Sequence, residues 1–181
     1  MLSVTPEMSR PMSLAEIGGQ ARALHVKASP AECQALVQRF QLVRLDHLEA
    51  DVQVQRTGAA ILLQGQLQAQ GAQACVVSGA PVPFDVRETI KLRFVAADAP
   101  QGEEIELESD ALDELPIEGG RIDVGEAVAQ SLSLALDPYP RADEEELAPV
   151  RRHLMSEEEA AAREAAEKAA ANPFSKLQKP K

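Results

Sequence analysis

The chain has 181 residues, 45% of them apolar, and a formal charge of −11. Aromatic residues make up only 3% and Trp is absent, so a core must rest on Leu, Val, Ile and Ala, in one ordinary domain with a tail. No uncharged apolar run approaches the ~18 residues that a membrane helix needs, and net negative charge disfavours non-specific binding to nucleic acid.

Met1 to Arg10 has no basic flank leading into an apolar stretch, so no export signal is expected. Leu24 and Val26 alternate with His25 and Lys27, which predicts a short strand. Ser29-Pro30-Ala31-Glu32 then reads as a capping box with Pro in the first turn of a helix. Cys33, Leu36, Val37 and Phe40 form the apolar face of that helix.

A run of sheet follows. Leu48, Ala50, Val52 and Val54 alternate with Glu49, Asp51, Gln53 and Gln55. After a turn at Arg56-Thr57-Gly58, Leu63, Gly65, Leu67 and Ala69 alternate with Gln64, Gln66, Gln68 and Gln70. Period two with one polar face predicts half-buried antiparallel strands, and the short link predicts a hairpin. Ala74 to Val77 reads as a third strand, ending at a turn over Ser78-Gly79-Ala80-Pro81. Phe84, Val86, Ile90, Leu92 and Phe94 share one face of a fourth strand, with Asp85, Arg87, Thr89, Lys91 and Arg93 on the other. Glu88 falls on the apolar face, which places it at a sheet edge or a bulge.

The charge is concentrated next. Residues 98–147 hold 16 acidic and 2 basic side chains, against 8 acidic and 9 basic in residues 1–97. Ile105 and Leu107 alternate with Glu104, Glu106 and Glu108, which suggests a short edge strand inside an acidic loop. Asp123 to Glu126 repeats the capping pattern. Val128, Leu132, Ala135 and Leu136 make the stripe of a second helix, stopped by Pro138 and Pro140. Glu157 to Ala171 is rich in Ala and Glu and predicts a solvated helix with no wide apolar face. Pro173 to Lys181 is a basic tail carrying Phe174 and Leu177. The expected architecture is α+β. It has an antiparallel sheet of about five strands, two packed helices and an acidic loop over residues 1–150, then a helical extension and tail over 151–181.

Candidate sites are few. Cys75 begins a Cys-x-x-Ser rather than a Cys-x-x-Cys, and His25, His47 and His153 show no ligand spacing, so no metal or cofactor is expected. Cys33 and Cys75 read as small buried residues, and two Cys without an export signal fit a reducing cytoplasm. No nucleophile elbow or phosphate-cradling loop occurs. A thiol-dependent enzyme using Cys75 with a base such as His47 is the alternative to a binding protein; a plain interaction module is another. Arg87, Lys91 and Arg93 share one strand face and are candidate phosphate contacts, although the stacking aromatics of RNA-binding sheets are missing there. The acidic stretch would attract a basic protein.

Three segments resemble the YceD-like family, proteins tied to accumulation of large-subunit ribosomal RNA in bacteria and plastids. They are Arg10-Pro11 through Gly18-Gly19, Cys75-Val76-Val77-Ser78-Gly79-Ala80-Pro81-Val82, and Asp123-Val124-Gly125-Glu126 with Leu134 through Asp137-Pro138-Tyr139-Pro140-Arg141. Asn172-Pro173-Phe174 is similar to the tail of proteobacterial members. The resemblance implies a cytoplasmic, non-enzymatic factor in ribosome biogenesis. Its partner would be large-subunit ribosomal RNA, its precursor particle, or a basic ribosomal protein. Many members carry a second Cys where this chain has Ser78, so the resemblance carries no zinc site over.

Overall fold

The computed structural model describes residues 6–96, 113–117, 119–143, 145–147 and 161–164. Within them a five-stranded sheet carries most of the fold. Its strands are β2 (Arg22–Lys27), β3 (Arg44–Thr57), β4 (Ala60–Ala74), β5 (Pro81–Ala96) and β6 (Asp113–Ile117), in that spatial order. A separate ribbon pairs β1 (Pro11–Ser13) with β7 (Arg121–Asp123). Two helices complete the fold, α1 (Pro30–Phe40) and α2 (Val124–Ala135).

The period-two segments form the antiparallel strands β2 to β5. Thr57 pairs with Ala60, leaving Gly58-Ala59 as a two-residue hairpin loop. Gly58 has φ +62°, the first-position conformation that matches a tight loop to the twist of its strands. The sheet is mixed rather than purely antiparallel, which corrects the expectation. Strand β6 runs parallel to β5, with Leu92 opposite Asp113. A parallel neighbour needs a connection of a dozen or more residues, and residues 97–112 supply it. The acidic loop itself, with the edge strand expected at Ile105 and Leu107, lies outside the described residues. The Ala/Glu-rich helix and tail also lie outside them, apart from 161–164, which are helical and exposed.

A second correction concerns Ala74 to Val77. Strand β4 ends at Ala74, and Cys75 to Ser78 form a turn. Cys75 N–H donates to Ala80 O at 2.8 Å, and Gly79 N–H donates to Cys75 O at 2.9 Å. These bonds close the loop between β4 and β5, so the apolar run serves a turn. Glu88 does lie at an edge. It stands opposite Leu67 without a bulge, on the part of β5 that β6 does not cover.

Both helices carry their expected amino-terminal caps, with a full capping box on α1 alone. Ser29 Oγ accepts from Glu32 N–H, and the Glu32 carboxylate accepts from Ser29 N–H at 2.7 Å. Gln41 closes α1 in the left-handed region with φ 54°. Asp123 caps α2 by accepting from Glu126 N–H at 3.1 Å. Helix α1 packs on β3, and α2 on β4 and β5. The core between them is aliphatic: Leu36, Leu48, Leu63, Leu67, Val128 and Leu132 are fully buried. The other face of the sheet carries the Gln residues of β4 and the charged residues of β5, and it is exposed.

Candidate functional site

The family-like segments meet at two places, one at each end of α2. The first is at its amino terminus. Asp123 accepts from Ser9 Oγ at 2.5 Å and from Arg10 N–H at 2.7 Å, and Val124 N–H donates to Arg10 O at 3.1 Å. Arg10 in turn reaches both carboxylate oxygens of Glu32, at 2.6 and 3.0 Å. This fork, with the cap bonds from Ser29, holds the Glu32 carboxyl down to about 2. Glu126 does not complete its own capping box. Its carboxylate pairs with Arg39 at 2.7 and 2.8 Å, and Arg39 also holds Glu7 at 2.8 Å. A Cβ on Gly125 would lie 2.5 Å from Met8 O, so this glycine lets the amino-terminal segment cross the helix. Asp123 and Glu126 therefore bind elements of this chain to one another. They are architectural.

The second place lies past the carboxyl end of α2, about 18 Å along a 12-residue helix. Here the Cys75 turn meets the segment Asp137 to Arg141. Val76 N–H donates to Pro140 O at 2.9 Å, and Gln73 Nε2 donates to Asp137 O at 2.8 Å. Ala142 N–H donates to Cys75 Sγ at 3.3 Å. Cys75, Ala142 and Leu147 form a small core of their own, with Val82 packed against it. Pro138 ends the helical path, and Pro81 opens β5 where no ladder donor is required.

The Cys75 sulfur sits in a nest of donors. The Ser78 hydroxyl contributes most, followed by the backbone N–H groups of Ala142 and Ser78, and that of Val77 adds to them. Together they stabilise the thiolate and bring the thiol from 9.0 to about 6. Cys33 behaves in the opposite way, because burial pushes its thiol up. Both thiols are free. Cys75 is only 3% exposed. The groups bonded to its sulfur are a hydroxyl and amides, none of which is a general base. His47 faces Glu49 at 3.1 Å instead. Among the described residues no group of three or more His, Cys, Asp or Glu is placed to hold a metal.

Around this buried sulfur the surface is apolar. Val76 is 53% exposed, Val77 39% and Tyr139 71%. The nearby chain is acidic: Asp137, Asp143, Glu145 and Glu146 are exposed, and none makes an ion pair among the described residues. Arg141 is the one cation of that stretch. No sequence periodicity announces this surface, since it joins residues more than sixty positions apart.

The third candidate group lies on β5, away from both places. Arg87, Lys91 and Arg93 share the exposed face and stand opposite Gln68, Gln64 and Leu62 of β4. Arg93 is bound to Glu114 at 2.9 Å, and Arg87 lies 3.7 Å from Asp85. Lys91 makes no ion pair among the described residues.

A family model described as "Large ribosomal RNA subunit accumulation protein YceD" matches residues 63–181, about two thirds of the chain. The chain belongs to the YceD family. The match begins inside β4 and takes in both the Cys75 turn and the Asp137 to Arg141 segment. Strands β1 to β3 and helix α1 precede it. No curated protein and no solved structure matches the chain. The family is described as an accumulation factor for large-subunit ribosomal RNA. No described helix is long and apolar enough to cross a membrane.

Proposed function

We propose that this YceD protein is a non-enzymatic cytoplasmic factor that supports accumulation of large-subunit ribosomal RNA by holding a basic ribosomal protein. One observation carries the choice of partner. Of the sheet-face cations Arg87 and Arg93 are matched by carboxylates of this chain, whereas Asp137, Asp143, Glu145 and Glu146 face solvent without an ion-pair partner among the described residues. Unmatched acid attracts a cationic protein and repels phosphate. Donors favour the Cys75 thiolate, but the sulfur is closed off at 3% exposure by Ala142, Leu147 and Val82, which supports a structural thiol over a catalytic one.

The test is titration of the full chain with singly purified large-subunit ribosomal proteins at rising salt. Binding that weakens steeply with ionic strength is expected, since exposed charges are screened within about 10 Å at 0.1 M. Failure of every one of them to bind at low salt would overturn the reading.

RNA contact by the sheet is the second reading. It is favoured by Lys91, which is exposed beside Gln64 with no carboxylate partner among the described residues. Replacing Arg87, Lys91 and Arg93 with Ser should then abolish RNA crosslinking. Unchanged crosslinking would remove it.

A further inference from the structure

We infer that the corner formed by the Cys75 turn and the Asp137 to Arg141 segment is a docking surface for an arginine-bearing segment of a basic protein. This rests on the protein-holding reading above and names its surface. Three properties of the corner point there.

First, it is apolar and exposed, yet fixed. Exposed side chains on a surface usually sit on mobile or polar ground. Val76 and Tyr139 instead flank a backbone bond of 2.9 Å, from Val76 N–H to Pro140 O. Tyr139 is held further by its own N–H, which donates to Asp137 Oδ1 at 2.9 Å. A surface already ordered loses little freedom on binding. Second, its leading side chain is a Tyr standing 71% in solvent. Its ring offers a face on which a guanidinium stacks, and Tyr is among the residues that dominate interface energetics. Third, its charge is complementary. Asp143, Glu145 and Glu146 lie on the turn whose Leu147 packs against Cys75. The Asp137 carboxylate, which accepts from the Tyr139 N–H, stands beside the aromatic residue, and such a pair selects Arg over Lys, because Arg pairs with two oxygens and stacks at once. Val76 and Val77 would receive the aliphatic neighbours of that Arg.

The probe is a short fluorescent peptide of alternating Arg and Leu, titrated against the full chain by anisotropy. The variants are Tyr139→Ser with Val76→Ser, which change no charge. They should weaken binding at least about tenfold while the melting temperature stays near that of the parent. Exchanging Arg for Lys in the peptide should also weaken it. Equal affinity of parent and double variant would overturn the surface. The same pair is then compared on a ribosomal protein that the parent binds. Retention by the double variant would overturn this surface and leave protein holding in place, whereas failure of the parent on every ribosomal protein would overturn protein holding itself. A photo-crosslinker at position 139 that captures RNA, or a second copy of the chain, would likewise overturn the proposed partner.

Discussion

The two ends of α2 solve opposite problems. At its amino end, charged and polar groups saturate one another: Asp123 takes Ser9 and Arg10, and Arg39 takes Glu7 and Glu126. Past its carboxyl end, a thiol is buried while valines and a tyrosine face water. Both regions are built from family-like segments. Motif residues whose valences are satisfied within the chain keep the fold. Motif residues held in place with apolar surface left over are available to something else.

Gly125→Val would break the first end most severely. The added side chain meets Met8 O at 2.5 Å, and overpacking against backbone costs about 1–3 kcal/mol or more. Urea denaturation should show that loss. Asp123→Ala comes next. It removes a helix cap and two further bonds from the amino-terminal segment, and a cap alone is worth about 1 kcal/mol.

A subtler lever is acid. Glu32 has its pKa depressed to about 2 from 4.5. Its stabilising share is therefore complete above 4.5 and lost as pH falls through about 2. Glu32→Gln should flatten the stability profile over that window in acid titrations of the fold.

The other end predicts small effects on folding and specific effects on chemistry. Ser78→Ala removes the largest donor to the Cys75 sulfur. In a Cys33→Ala background, thiolate absorbance should titrate near pH 6 in the parent and higher in the variant. Tyr139→Ser should change stability by less than about 0.5 kcal/mol, because the ring is mostly in water. A large loss there would erase the contrast between the two ends.

Much of the scaffold was legible in the sequence. The capping box at Ser29 and Glu32 and the alternation of Val52, Val54, Leu63 and Leu67 are local signals that act over a few residues. Glu88 announced an edge or a bulge, because a carboxylate cannot share a closed apolar face, and it stands at an edge. What escaped depends on distant partners. The direction of β6 is set by a crossover, not by the composition of Asp113 to Ile117. The β1–β7 ribbon has three residues on each side, too few for a period. Cys75 to Val77 looked like strand because apolar residues favour one, but backbone bonds to Ala80 and Pro140 decide the turn. The candidate surface was legible as two motifs and not as one place.

The bond between Ser9 and Asp123 spans 114 positions in the chain. Translation proceeds at about 5–20 residues per second, so on the order of ten seconds separate the synthesis of the two partners. For that interval the amino-terminal strap lacks α2, the helix it crosses at Gly125, although its partners on α1, Glu32 for Arg10 and Arg39 for Glu7, are already made. The amino-terminal strap is thus fully bonded only once α2 has left the exit tunnel.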